Sequence, residues 1–154
     1  MLEDKLNGEK EPMALSSESE ETRMIEHKAA EPVTSAHILV VDDEEMLTDV
    51  INSLLCHLGY RTTCTNSPAE ALKLIQKNPA EYDLLMTDFK MPRMSGVELI
   101  KEAHRYNASL PALLCTGSPI EQCEFPIRKE DVLLKPFSYA ELGQIVKRRL
   151  ASRT

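Results

Sequence analysis

Residues 84–96, LLMTDFKMPRMSG, join an apolar run to a loop rich in proline, serine and glycine, with one carboxylate between them. The apolar residues Leu84, Leu85 and Met86 are typical of a buried strand. Asp88 stands at the end of that run. A carboxylate in this position is commonly a solvated turn residue. The stretch alone therefore leaves two interpretations open: a turn, or a functional group that a buried strand holds at its end.

The same pattern recurs along the chain, where short apolar runs alternate with segments of helical periodicity. HILVV at 37–41 is a continuous apolar run, typical of a strand that is covered on both faces. The predicted strands are 37–41, 60–65, 82–88, 111–117 and 131–135. The predicted long helices are 46–58, 67–78, 95–107 and 138–150. Strands that alternate with helices at this spacing predict a (βα)₅ fold of the α/β class, with a parallel sheet covered on both sides.

Local signals mark where the predicted helices begin and end. A capping box is a serine and a glutamate three residues later that each bond the other's backbone N–H. Three helix starts carry this pattern: Ser67 with Glu70, Ser95 with Glu98, and Ser138 with Glu141. Gly59 is placed to end the first helix. Ser118 and Glu121 predict one more helix, which must be short because it lies between Pro119 and Pro126.

The chain has 154 residues, of which 42% are hydrophobic, and a formal net charge of −7. These values are typical of a globular protein with one domain. Residues 1–35 hold nine acidic residues, four basic residues and no aromatic residue. Such a segment buries too little apolar surface to offset its ordering entropy. We therefore expect a disordered acidic tail at 1–35, a folded domain at 36–150 and a short C-terminal tail at 151–154.

Several classes of function are disfavoured by the composition. The sequence has no long apolar stretch and an acidic N-terminus, so we expect neither a membrane span nor a secretory signal. Because there is no basic surplus, we expect no DNA binding by this chain. The cysteines show neither a C-x-x-C pair nor zinc-site spacing, and they are Cys56, Cys64, Cys115 and Cys123. We interpret them as reduced thiols that behave as small hydrophobic residues, which favours a cytoplasmic protein.

Polar side chains stand at the C-terminal ends of four of the five predicted strands, where parallel α/β sheets place their sites. These residues are Asp42, Asp43, Asp88, Thr116 and Lys135. Carboxylates packed together repel one another unless a cation shares the site, and carboxylate oxygens suit Mg²⁺. An aspartate can accept a phosphoryl group covalently, while an ammonium and a hydroxyl can bind the phosphoryl oxygens. The set therefore predicts Mg²⁺-dependent phosphoryl transfer.

Four motifs together resemble the receiver domain of bacterial two-component response regulators. They are ILVVDDEE at 38–45, LLMTDFKMPRMSG at 84–96, LLCTG at 113–117 and VLLKPF at 132–137. The resemblance covers about residues 36–150. It implies a flavodoxin-like sheet of five parallel strands in the order 2-1-3-4-5.

The resemblance also implies a role for each residue of the site. Asp88 matches the phosphoacceptor, and Asp42 and Asp43 match the acidic pair that holds Mg²⁺ together with it. Lys90 matches the position whose backbone carbonyl completes the metal site. The switch hydroxyl and the family's lysine correspond to Thr116 and Lys135, and a cis peptide bond is implied before Pro136. Met91, Pro92 and Gly96 match the loop that follows the acceptor.

The sequence departs from the family pattern in two places. Val132 occupies the position, three residues before the lysine, where family members usually carry an aromatic switch residue. The segment 117–132 is also shorter than usual, which predicts a short or irregular fourth helix. Phe125 and Tyr139 are two candidates to replace the missing ring. We expect the coupling between Thr116 and Val132 to be unusual, with output through another face or a remodelled loop.

The expected function is a receiver that takes a phosphoryl group from a histidine kinase or phosphotransfer protein and signals through a downstream protein. It would be no enzyme, since it would catalyse only its own phosphorylation and dephosphorylation. The chain ends soon after the last predicted helix, so we expect no output domain. Two alternatives stay open, a receiver derived from a hybrid histidine kinase and a non-phosphorylated binding module. An aspartate-nucleophile phosphatase is disfavoured, because it needs an acid where Lys90 stands.

Overall fold

The computed structural model describes residues 35–118 and 127–152, which form alternating strands and helices. The strands are β1 (His37–Val41), β2 (Arg61–Thr65), β3 (Leu84–Asp88), β4 (Ala112–Thr116) and β5 (Val132–Leu134). The α-helices are α1 (Glu45–His57), α2 (Pro68–Lys77), α3 (Gly96–Ala103) and α4 (Tyr139–Ala151). One turn of 3₁₀ helix, Lys129–Asp131, precedes β5. The predicted α/β fold is confirmed.

The five strands form one parallel sheet in the order β2-β1-β3-β4-β5, as predicted. Val41 pairs with Thr65 on one side and with Thr87 on the other. Asp88 pairs in register with Cys115. All strands run in the same direction, so the residues that follow them meet at one edge of the sheet. That edge carries the candidate site.

The sheet separates two apolar layers, and β1 contributes to both. Ile38 and Val40 face α1 and α4, whereas Leu39 and Val41 face α2 and α3. All four are at most 1% exposed. A strand buried on both faces has no polar alternation, because neither row of side chains meets water. This explains the continuous apolar run at 37–41.

Two of the three predicted capping boxes form, at the first turns of α3 and α4. The capping box predicted at the start of α2 does not form, so that prediction is wrong. The Ser67 hydroxyl accepts the backbone N–H of Glu70 over 3.2 Å, as expected of a cap. The Glu70 carboxylate does not return to the Ser67 backbone and instead accepts the hydroxyl of Thr65 over 3.0 Å. A nearby buried hydroxyl therefore competes successfully for the glutamate.

Several element boundaries are narrower than predicted. The helix α3 ends at Ala103 and the strand β5 spans only Val132–Leu134. Gly59, with φ of +98°, ends α1 as expected. The short helix predicted after Ser118, including Phe125, falls largely on 119–126, outside the described residues. The tail predicted at 1–35 also lies outside them, except for its last residue.

The described cysteines are free thiols, as predicted, but their burial differs. Cys115 is buried in β4, and burial raises the pKa of its thiol to about 12. Cys56 and Cys64 are exposed, so the prediction that the cysteines act as small hydrophobic residues is wrong for these two. Cys56 follows Leu55 on α1, and one step along a helix turns a side chain by about 100° away from the core. Cys123 lies outside the described residues.

Arg93, in the loop after β3, has a positive φ of 69°. This left-handed conformation costs an L-residue about 1–2 kcal/mol, and glycine avoids that cost. Part of the gain is offset because glycine loses about 0.5–1 kcal/mol more in backbone entropy on folding. We expect Arg93→Gly to raise the free energy of unfolding slightly and Arg93→Val to lower it, since β-branched residues fit this region worst. Urea unfolding measures both, and equal stability of the two variants would contradict the assignment.

No helix among the described residues combines the length and the apolar character needed to cross a lipid bilayer.

Candidate functional site

Three carboxylates meet at the carboxyl edge of the sheet. Asp42 and Asp43 follow β1, and Asp88 is the last residue of β3. One carboxylate oxygen from each lies within 4.8 Å of the others. Asp42 is only 2% exposed, Asp88 is half-buried and Asp43 is exposed. The sheet thus brings together the three acids that the sequence predicted as a cluster.

The ammonium of Lys135 contacts two of these carboxylates. Its Nζ lies 2.7 Å from Oδ1 of Asp88 and 3.3 Å from Oδ2 of Asp42. The backbone N–H of Lys135 donates to the carbonyl of Thr116 over 2.8 Å, which fixes the residue beside β4. The peptide bond between Lys135 and Pro136 is cis, as the family resemblance implied. Lys135 is therefore placed at the site as predicted.

The electrostatics of the site are dominated by negative charge. Burial raises the pKa of Asp42, the negative charge of Asp88 raises it further, and the Glu44 N–H and the Lys135 ammonium oppose the rise. Burial tends to lower the pKa of Lys135, but its hydrogen bond to Asp88 and the charge of Asp42 outweigh this and raise it. Three carboxylates against one ammonium leave an excess of negative charge.

The donor set fits a hard divalent cation. Mg²⁺ binds through one or two carboxylates together with water, and it prefers oxygen ligands. The pKa of the Asp42 carboxyl is raised by burial and by the like charge of Asp88, so its charged form is strongly stabilised by such an ion. Asp42, Asp43 and Asp88 can supply these oxygens. Lys90 is exposed in the loop two residues beyond Asp88, and the role of its carbonyl stays a prediction.

Thr116, the last residue of β4, is buried at the same edge of the sheet. Its hydroxyl donates to the carbonyl of Ser118 over 3.0 Å and accepts the N–H of Ser118 over 3.2 Å. The hydroxyl is therefore hydrogen-bonded to the backbone of the loop that follows β4. Its predicted role toward a phosphoryl oxygen stays a prediction, and it requires the bond to the Ser118 carbonyl to be exchanged.

The backbone of Asp88 is held between β4 and α3. The N–H of Phe89 donates to the carbonyl of Cys115 over 2.8 Å, and the N–H of Gly96 donates to the carbonyl of Phe89 over 2.8 Å. Gly96 approaches so closely that an added Cβ would lie 2.1 Å from the carbonyl oxygen of Asp88. The sequence marked Gly96 only as part of the loop motif. The structure shows why a side chain cannot stand there.

Asn66 is a residue of the site that the sequence analysis missed. Its side-chain amide donates to the backbone carbonyl of Asp42 over 2.8 Å. A usable signal existed, because Asn66 directly follows β2 and so lies at the same edge of the sheet. A position at the C-terminal end of a strand is what Asp42, Asp88 and Asn66 share.

Val132 stands at the position where the family resemblance implies an aromatic switch residue. Val132 is half-buried at the start of β5 and packs against the core layer of α2 and α3. Tyr139, one candidate to replace the ring, is 42% exposed at the start of α4. Its ring centroid lies 5.7 Å from that of His57 at the end of α1. Tyr139 therefore contacts α1, and the predicted unusual coupling between Thr116 and Val132 stays a prediction.

Residues 38–147 match the family model described as the response regulator receiver domain. The response regulator SaeR of Staphylococcus aureus is 30% identical over 109 residues, which cover 69% of this chain and 46% of that protein. The chain thus spans about half the length of the curated relatives it matches.

Two solved structures illustrate the similarity of fold. A response regulator receiver protein from Sinorhizobium medicae is 25% identical, with a TM-score of 0.71 over 79% of this chain and 99% of that one. The receiver domain of the sensor histidine kinase PA1611 from Pseudomonas aeruginosa is 26% identical, with a TM-score of 0.68 over 76% and 98% of the two chains. That structure holds a magnesium ion coordinated in its active-site cleft. The match over most of the folded residues shows that the chain belongs to the response regulator receiver domain family of two-component signalling.

Proposed function

We propose that this receiver domain accepts a phosphoryl group on Asp88 from a histidine kinase or a phosphotransfer protein. The observation that carries the proposal is the position of Asp88 at the end of β3, clustered with two acids and 2.7 Å from the Lys135 ammonium. Asp42, Asp43 and Asp88 would hold Mg²⁺, with the carbonyl of Lys90 as a further ligand. When bound, the ion neutralises charge on the phosphoryl oxygens and on the acceptor.

The chain's own residues supply the rest of the chemistry. A carboxylate oxygen of Asp88 forms a bond to phosphorus, and the bond from phosphorus to the donor nitrogen or oxygen breaks with its electron pair leaving on the donor. Lys135, which donates to Asp88, is positioned to pair with a phosphoryl oxygen. The hydroxyl of Thr116 can donate to a second phosphoryl oxygen once it leaves the Ser118 carbonyl. Water then attacks the phosphorus of the acyl phosphate, which releases inorganic phosphate and returns the Asp88 carboxylate.

The wider role follows from this chemistry. We propose that the protein is no enzyme toward other molecules, because it catalyses only its own phosphorylation and dephosphorylation. It would signal through a downstream protein, without DNA binding by the residues of this domain. Free thiols at Cys56, Cys64 and Cys115 fit a reducing compartment, so we place the protein in the cytoplasm.

A second candidate is a receiver module derived from a hybrid histidine kinase. The similarity to the receiver domain of the sensor kinase PA1611 favours it. The chemistry at Asp88 would be the same, but the phosphoryl donor would be a histidine of the hybrid kinase from which the module derives. A non-phosphorylated binding module is the least supported reading, because all the predicted site residues are present.

Intact-mass analysis of the full chain tests the proposal. After incubation with Mg²⁺ and acetyl phosphate we expect an adduct of one phosphate that hydroxylamine removes, as expected of an acyl phosphate. A chelator should prevent its formation. If acetyl phosphate, phosphoramidate and a phosphorylated histidine phosphotransfer domain all leave the mass unchanged, the proposal is wrong.

A further inference from the structure

Asn66 bonds two groups at the two ends of residues 42–48, the acidic loop, which joins β1 to the first turn of α1. Its Nδ2 donates to the carbonyl of Asp42 over 2.8 Å and to the hydroxyl oxygen of Thr48 over 3.3 Å. The carbonyl can only accept, and the Thr48 hydroxyl already donates to the carbonyl of Glu45 over 2.8 Å. Both partners therefore require the nitrogen of the amide, which fixes its orientation. Both hydrogens of that nitrogen have an acceptor.

The two acceptors stand at either end of the segment that carries the exposed acids. Asp42 is the first residue of this segment, directly after β1, and Thr48 lies in the first turn of α1. Both are buried. The N–H of Glu44 donates to Oδ1 of Asp42 over 2.9 Å, so the carboxylate end of Asp42 is held as well. Asn66 thus ties together the ends of a loop that includes Asp43.

The turn that carries Asn66 is itself braced. The N–H of Asp42 donates to the carbonyl of Thr65 over 3.3 Å. The Thr65 hydroxyl accepts the N–H of Ser67 over 3.2 Å and donates to the Glu70 carboxylate over 3.0 Å. The amide of Asn66 is therefore presented from the junction of β2 and α2, which the Thr65 hydroxyl holds through bonds to Ser67 and Glu70 that lie outside the acidic loop.

We propose that Asn66 is a positioning residue that sets the Mg²⁺ affinity of the acidic site without contacting the ion. The inference rests on the proposed function, since it concerns the ion that Asp42, Asp43 and Asp88 would hold. Repulsion among these carboxylates tends to move them apart when no cation is bound. A loop held in place has less freedom to lose on binding, and residues that orient metal ligands commonly set the affinity.

The test is the Mg²⁺ dissociation constant of Asn66→Ala, measured by ¹H–¹⁵N NMR titration of the full chain with MgCl₂. We expect the constant to rise by about threefold to tenfold, the effect of losing one hydrogen bond. Asn107→Ala is the matched control. Asn107 also donates Nδ2 to a carbonyl, that of Pro79 over 2.9 Å, but at the opposite edge of the sheet. Its dissociation constant should equal that of the wild type.

A second measurement separates positioning from general loosening. The rate of phosphorylation by acetyl phosphate is followed against Mg²⁺ concentration. In Asn66→Ala the half-saturating concentration should rise while the saturating rate stays that of the wild type. A variant with a loosened fold would instead lose rate at every concentration, which would overturn the positioning role.

The remaining outcomes are also decisive. An unchanged dissociation constant in Asn66→Ala overturns the inference and leaves the proposed function intact. Equal weakening in Asn66→Ala and Asn107→Ala overturns it too. If the wild-type chain shows no Mg²⁺-dependent shifts at Asp42, Asp43 or Asp88, the proposed function fails, and the positioning role fails with it.

Discussion

Asp88→Asn is expected to abolish the phosphate adduct that acetyl phosphate and Mg²⁺ produce on the wild-type chain. Asparagine has nearly the same size, so the packing at the end of β3 is retained. Its amide oxygen, however, carries no negative charge and cannot act as the nucleophile. Intact-mass analysis of the two proteins after the same incubation measures the result as presence or loss of the adduct.

The same substitution should leave the fold intact. Asp88 raises the pKa of Asp42 by charge repulsion, so its neutralisation removes an unfavourable interaction in the metal-free protein. The loss of the ion pair with Lys135 is compensated in part, because Lys135 also contacts Asp42 at 3.3 Å. Urea unfolding without Mg²⁺ should therefore give a free energy of unfolding no lower than that of the wild type.

Asp49→Asn is the matched control, since it removes one acid from the exposed face of α1. It should keep the adduct. An adduct that persists in Asp88→Asn would mean that another residue accepts the phosphoryl group, and the assignment of Asp88 would be wrong. Mg²⁺ should also stabilise Asp88→Asn less than the wild type, because the variant offers one carboxylate fewer to the ion.

The architecture was predictable because its signals are local. Continuous apolar runs at 37–41 and 84–86 mark strands covered on both faces, and the serine–glutamate pairs at Ser95 and Ser138 mark helix starts. The clustering of Asp42 and Asp88 was predictable for a second reason. Parallel strands deliver whatever follows them to one edge of the sheet, so position in the strand is enough to place the side chain.

What could not be predicted depends on competition between partners. Glu70 has the spacing of a capping box, but the hydroxyl of Thr65 competes for its carboxylate, and only three-dimensional proximity reveals this. The position of Asn66 at this edge of the sheet was predictable, but its bond to the Asp42 carbonyl joins residues after two neighbouring strands, and no spacing in the sequence encodes that contact. The Thr116 hydroxyl was assigned to the site by its strand position, but in the structure it bonds the Ser118 backbone.

Gly96→Ala is expected to be strongly destabilising and to slow phosphorylation. An added Cβ would lie 2.1 Å from the carbonyl oxygen of Asp88 and 2.8 Å from Cδ1 of Leu114. The nearer contact is a backbone atom that no rotamer change can relieve, so α3 or the end of β3 must shift. Overpacking of this kind costs about 1–3 kcal/mol or more, and we expect the upper end. Urea unfolding measures the loss.

The effect on Asp88 follows from the same clash, because a shift of its backbone moves the nucleophile relative to Lys135 and the other acids. Displacement of a reacting group by about 1 Å can cost about a hundredfold in rate, and we expect a loss of that order with acetyl phosphate. Gly143→Ala is the control. Its Cβ would meet only the Leu58 side chain at 3.4 Å, an ordinary contact, and alanine favours the helix interior of α4. Gly143→Ala should therefore keep wild-type stability or exceed it and keep the wild-type rate. If Gly96→Ala and Gly143→Ala have the same stability and rate, the end of β3 tolerates a side chain against Asp88. The close approach of α3 would then not be what positions the acceptor.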